Sequence, residues 1–247
     1  REIPKVIEDE IIRYCKEDLK LKYINIFYRD TDSEFVDIKI KDYEKAEEIG
    51  KKIANHVNEF IDGYIWKKYH RKNHLSLEYE YVAKKFFMPS GRKKKEEDDK
   101  SGVKKKYCCL IEENGKEELK FVGMEYVHID ATQLAKDFQY GLYWRIFHDR
   151  DYKKYIIDCI CKLRNGEFDD KLVYTKNMTK YEQDYTKTTP PHVQAARVLK
   201  KKGMPVPAAI QYVITTDGPR PVEAVDKPLD YEHYVEKQIK PIVEEVF

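Results

Sequence analysis

Residues 27–36 read FYRDTDSEFV, with Asp30 and Asp32 either side of one threonine and aromatic or β-branched residues beyond them. Like charges this close repel, so they call for a cation or a strong hydrogen-bond network. Tyr23 and Phe27 before them, and Phe35, Val36, Ile38 and Ile40 after them, predict strands over 23–28 and 35–40, with RDTDSE as the turn. One meaning of the pair is a polar hairpin turn, where aspartate is favoured. A calcium loop starting at Asp30 fails, because it needs glycine where Phe35 stands and glutamate where Lys41 stands. A magnesium site fits, since Mg²⁺ takes one or two carboxylates and leaves its other positions to water and phosphate oxygens. The residues of the turn alone leave the turn and magnesium meanings both open.

Outward from the hairpin, Ile3, Val6, Ile7, Ile11, Ile12 and Leu19 recur at helical spacing and predict a helix over 3–19. Asp42 is placed to cap a second helix whose apolar face is Ala46, Ile49, Ile53, Val57, Phe60 and Ile61. From Leu75 the period shortens to two, with Leu77, Tyr79 and Tyr81 predicting a half-buried strand. GRKKKEEDDKSG, residues 91–102, is a low-complexity insert expected to be mobile. Two strand-like runs then meet at Asn114-Gly115, a strong hairpin signal. From Thr132 the pattern is helical: Leu134, Ala135, Phe138, Leu142 and Ile146 form one stripe, and Tyr152, Tyr155, Ile156, Cys159, Ile160 and Leu163 another, with Gly166 as its stop. A short basic helix, a strand over 211–215 and a helix from Tyr231 complete the chain. The expected fold is α+β, with an α+β part over 1–130 and a mostly helical part over 131–247.

Lys and Arg number 47 against 45 Asp and Glu, so net charge does not point to a polyanionic partner and local clusters must. No apolar run approaches the roughly 18 residues of a membrane span, and no signal-peptide pattern opens the chain, so no membrane partner is expected. Five cysteines without a CxxC spacing fit neither a disulfide framework nor zinc, and predict buried, reduced thiols in a cytoplasmic protein. The chain begins at Arg1 rather than at a methionine, so a trimmed or processed piece of a longer protein is expected.

YRDTDSEFV resembles motif C of the family B DNA polymerases, usually Tyr-Gly-Asp-Thr-Asp-Ser. KKKYCCLIEENG (104–115) is similar to the family's Lys-Lys-Arg-Tyr segment, and LKFVGMEYVHID (119–130) to the strand after it. LAKDFQYGLYWRIF, DDKLVYTKNMTKYEQDY, PPHVQAARVL and PLDYEHY resemble the thumb of the bacterial DNA polymerase II branch, in the same order. The resemblance runs from about Ile24 to the end. It implies a partial palm, an antiparallel sheet with packed helices, followed by a mostly helical thumb that binds duplex. It also implies a DNA-associated enzyme transferring deoxynucleotides to a primer 3′-hydroxyl with two Mg²⁺ ions. Motif A, with a further metal-binding aspartate, and motif B, which grips the triphosphate, do not precede Asp30, and the family's exonuclease domain is absent. The resemblance therefore implies a fragment or a split subunit, inactive alone, whose partners are primer–template DNA, deoxynucleoside triphosphates and a complementary chain carrying motifs A and B.

On this resemblance Asp32 is the metal-binding catalytic aspartate and Asp30 its neighbour, acting on the metals directly or through ligand positioning. Thr31 and Ser33 shape the turn, and Tyr28 supports it from beneath. Arg29 stands where glycine is usual, placing a cation by the carboxylates at a cost if the backbone there is left-handed. Lys104, Lys105, Lys106 and Tyr107 are expected on the duplex, with Lys106 in place of the usual arginine. Cys108 and Cys109 are expected in the core. Glu125 matches a palm carboxylate that either neighbours the metals or forms a structural pair. Lys176, Lys180, Tyr181, His192 and Arg197 fall on duplex-lining stretches, and Lys200, Lys201 and Lys202 extend that basic surface. The alternative is a DNA-binding or assembly subunit whose catalysis has lapsed, favoured by Arg29 and the altered basic motifs.

Overall fold

A computed structural model describes residues 2–30, 33–89, 105–180, 184–185 and 189–247. Thr31, Asp32, Lys104, Tyr181 and the charged insert 91–102 lie outside the described residues. The fold is α+β. The chain divides into two compact units, Arg1–Phe86 with Leu110–Glu118, and Phe87–Cys109 with Leu119–Phe247.

In the first unit, helix α1 (Glu2–Glu17) turns Ile7, Ile11 and Cys15 onto α2 (Tyr43–Tyr69), whose Ile49, Ile53, Val57, Ile61 and Ile65 complete one apolar cluster. Each fully buried isoleucine or valine stabilises this packing by roughly 1.5–3 kcal/mol. Asp42 caps α2 as its sequence predicts, accepting a hydrogen bond from the Lys45 amide. Between the helices runs the hairpin of β1 (Asn25–Asp30) and β2 (Ser33–Asp37), which lays Ile26 and Val36 on the same cluster. The pairing continues further toward the tip than the expected strands over 23–28 and 35–40. Arg29 pairs with Glu34 and Asp30 with Ser33.

The strand expected over 75–81 does not form; residues 70–82 carry no regular structure, and β3 begins only at Ala83 (Ala83–Phe87). Its alternation has another cause. The Asn58 side chain accepts from the Leu77 amide at 2.7 Å and donates to the Leu77 carbonyl at 2.9 Å, so a side chain of α2 takes the place of a neighbouring strand. Leu77 then packs on the helix cluster, and the Tyr79 ring covers Gly50 of α2.

Strands β3, β4 (Tyr107–Glu113) and β5 (Lys116–Val122) are hydrogen-bonded in that order, and the chain passes between the units within each of them. Asn114 and Gly115, at φ 53° and 74°, make the left-handed two-residue turn expected from their identity.

In the second unit, Thr132 caps α3 (Gln133–Phe147), accepting from the Ala135 amide and donating to the buried Gln238 at 2.6 Å. Helix α4 (Tyr152–Arg164) packs Cys159 and Leu163 against the α3 stripe. The basic helix α5 (Pro191–Lys201) joins them through Ala195, Ala196 and Leu199. This half is not helical throughout. Strand β7 (Ala209–Thr215) is the centre of an antiparallel sheet, between β6 (Tyr174–Asn177) and β8 (Gly218–Pro221). The chain closes with α6 (Tyr231–Tyr234), a π-helical turn Val235–Ile239 and α7 (Lys240–Glu244). Four cysteines are buried, as expected, but Cys161, on the outer face of α4, is exposed. Among the described residues, no helix is long and apolar enough to cross a membrane.

Candidate functional site

The hairpin in the first unit builds its tip on aromatic packing. A register shift between Ile26 and Tyr28 sets Phe27 out of the ladder, and such a bulge re-aims the strand that follows. Phe27 and Phe35 both meet Phe86, at 5.1 and 5.2 Å between ring centres, and Tyr28 is buried against Phe35. Tyr28 thus lies under the hairpin as the sequence suggests. The ladder ends at Asp30 and Ser33, where the Ser33 hydroxyl donates to the Asp30 carbonyl at 3.5 Å.

Arg29 lies in regular strand and has no left-handed backbone, so it carries no strain for replacing glycine. Its guanidinium pairs with Glu8 of α1 and lies 3.2 Å from Glu34, its cross-strand partner. The contact with Glu34 is close but poorly aligned: Arg29 Nε and Glu34 Oε2 are buried without hydrogen-bond partners. Burial pushes the Glu34 carboxyl above its ordinary range; Arg29 opposes the shift and Glu8 adds to it. Among the described residues, no group of three or more His, Cys, Asp or Glu side chains is gathered to hold a metal ion, and Asp32 is not one of them. The described tip contributes one hard oxygen donor group, the Asp30 carboxylate. Its type suits Mg²⁺; as a ligand set it is partial.

The other candidates lie in the second unit. Lys105 has left-handed backbone at φ 67°, and its carbonyl sits so close to Gly123 that a Cβ there would lie 1.9 Å from it. Only glycine fits at 123, and that contact holds the turn carrying Lys105 and Lys106. Lys106 pairs with Glu245 at 2.6 Å, and Tyr107 is buried. Cys108 and Cys109 are core, as expected, and burial drives the Cys108 thiol far up. Glu125 accepts from Gln139 at 3.2 Å, while Gln139, fully buried, also accepts from the Tyr126 amide at 2.8 Å.

Lys176, His192 and Asp130 come together at one shallow hollow beside Tyr174 and Tyr212. Lys176 pairs with Asp130, which lowers the Asp130 pKa. Burial, with Lys176 nearby, lowers that of His192 and favours its neutral form. Lys180 is exposed. Arg197 is spent on local structure, donating to the Tyr185 carbonyl at 3.1 Å and to Thr189 Oγ1 at 3.2 Å. Sequence reasoning missed Glu8, Asp130 and Glu245 as partners of these cations. Glu245 stands 139 residues from Lys106, and no spacing rule reaches so far.

A family model described as DNA polymerase family B matches residues 3–247. DNA polymerase II of Escherichia coli (strain K12) is 37% identical over 244 residues, covering 95% of this chain and 30% of that protein. A DNA polymerase of Pyrococcus horikoshii is 28% identical over 254 residues, covering 96% of this chain and 18% of the relative. One from Methanocaldococcus jannaschii is 31% identical over 147 residues, 54% of this chain and 9% of the relative. The chain thus spans less than a third of the length of these curated relatives.

Proposed function

The chain belongs to DNA polymerase family B, and from that premise we propose that it is the C-terminal palm, residues 1–130, and the duplex-binding thumb, residues 131–247, of a DNA-directed DNA polymerase. The reaction is addition of a deoxynucleotide to a primer 3′-hydroxyl with release of pyrophosphate. The observation that carries this is the match over residues 3–247, which contains the Asp30-Thr31-Asp32 hairpin. Motifs A and B come from another chain or from a missing segment.

Asp32 and Asp30 would hold Mg²⁺ at the hairpin tip. When bound, the metal neutralises charge on the phosphates and makes the attacking hydroxyl more acidic. The hairpin ladder and the aromatic packing beneath it support the strand end that carries Asp30. Lys104, Lys105, Lys106, Lys176, Lys180 and His192 neutralise or approach duplex phosphates without reading bases, as copying any template requires. Tyr107 and Arg197 shape the surfaces on which these cations sit, and Tyr181 belongs to the same duplex-contacting set. Thr31 shapes the tip, and Glu125 positions the segment after β5 through Gln139.

The lapsed-subunit reading took Arg29 as a cation intruding on the aspartates. The engagement of Arg29 by Glu8 and Glu34 supports the catalytic reading instead. Asp32→Ala, assayed in an assembly that supplies motifs A and B, is expected to cut primer extension by roughly 10³-fold or more while duplex affinity is retained. Unchanged extension would remove Asp32 from the chemistry.

A further inference from the structure

At the end of the hairpin opposite Asp30, the turns before β1 and after β2 meet the first turns of α2 around a hollow of about 550 Å³. Half-buried Leu21, Ile38 and Ile40 form an apolar floor. The rim carries five lysines against one carboxylate, Glu48, which Lys52 already pairs at 2.6 Å. Among the described residues, the other four, Lys20, Lys22, Lys39 and Lys45, have no ion pair. The nearby acids are engaged elsewhere. Asp18 bonds Arg13 at 2.9 Å, Asp37 accepts from the Lys39 amide at 3.0 Å, and Asp42 accepts from the Lys45 amide at 3.1 Å.

This concentration is at odds with a chain whose charges nearly cancel. Like charges gathered at one concavity raise the local potential and attract a polyanion. Two of the four, Lys20 at φ 52° and Lys39 at φ 51°, also occupy left-handed backbone where glycine or asparagine is favoured. The backbone conformation alone would select a smaller residue at both turns.

We infer that this hollow binds the backbone of single-stranded DNA, its phosphates on these four lysines and its bases over the apolar floor. The choice of nucleic acid rests on the polymerase reading above. A groove that pairs cations with apolar surface suits one strand, whose unpaired bases can lie on the apolar part while its phosphates meet the cations. On the β2 side the hollow begins at Ile38, five residues from Ser33 near the tip, about 17 Å at ordinary strand rise, within reach of a few nucleotides of a strand leaving the catalytic hairpin.

The test is fluorescence anisotropy of fluorescein-labelled (dT)12 on the full chain across a salt series. The variant carries Lys20→Ala, Lys22→Ala, Lys39→Ala and Lys45→Ala together. Its affinity at low salt is expected to fall about tenfold or more. The slope of log affinity against log salt should become shallower by about 2–3, near 0.7 per lost phosphate contact. Replacing the same four by arginine keeps the charge and should keep binding, which separates charge loss from misfolding. An unchanged slope in a folded alanine variant overturns the inference. So does poly-L-glutamate of matched charge displacing (dT)12 equally well, a result that would assign the hollow to an acidic protein segment. Primer extension does not enter this readout, so failure here and failure of the polymerase reading are told apart.

Discussion

Arg29 stands one residue from Asp30, yet its guanidinium is taken up by Glu8 and Glu34. Half of that arrangement is legible in the chain. Taking RDTDSE as the turn sets residues 29 and 34 opposite each other, as the ladder has them, and opposite charges there attract. The other half is not, because Glu8 lies on α1 and reaches Arg29 only through the packing of the helix. The Glu34 carboxyl is raised mainly by burial, with Arg29 opposing and Glu8 reinforcing the shift. A folded pKa above the ordinary 4.5 means that the native state binds the proton more tightly than the unfolded chain does. Stability from this group therefore rises as pH falls through the raised value toward 4.5, and is lost above it. Glu34→Gln removes that dependence. In urea unfolding between pH 7 and 4.5, the variant's stability relative to the parent should decline as pH falls; a gap independent of pH would contradict the assignment.

Caps and periodicity were the elements easiest to read. Asp42 caps the helix that its side chain suggests, α3 opens after Thr132 where the pattern turns helical, and the stripes of α2 and α3 are buried apart from the partly buried Phe60 and Ile146. Period-two alternation over 75–81 misled, because an extended segment lying along a helix alternates its side chains as a paired strand does. Asn58 is what holds that segment. Removing its amide leaves the Leu77 amide and carbonyl without their partners. Asn58→Ala should cost about 1–2 kcal/mol and speed hydrogen exchange at the Leu77 amide, with little change across α4 and α5. Equal protection in both proteins would contradict this. Strand β8 escaped notice for a different reason: its sequence, Gly-Pro-Arg-Pro, has two residues that cannot donate to a ladder. It is tolerated because β8 lies at the sheet's edge, paired to β7 alone.

At the scale of the molecule, family membership was legible because motifs in a fixed order carry more information than any one of them. The ion pairs that tie up Lys106, Lys176 and Arg29 were not, since each joins residues distant in the chain. These pairs give the proposed nucleic-acid surface a definite electrostatic character. Lys106 and Lys176 each meet a carboxylate, so duplex phosphate must compete with Glu245 and Asp130 for them, whereas among the described residues Lys20, Lys22, Lys39 and Lys45 at the hairpin's base meet none, Lys39 lying over the Tyr23 ring instead. The central claim is that the hairpin aspartates act in a metal site completed by polypeptide beyond this chain. Primer extension with Mg²⁺ tests it most directly, comparing this chain alone, a chain carrying motifs A and B alone, and the two together. Extension only in the mixture is the predicted result; extension by this chain alone, or none from a mixture that assembles and binds primer–template, would contradict it.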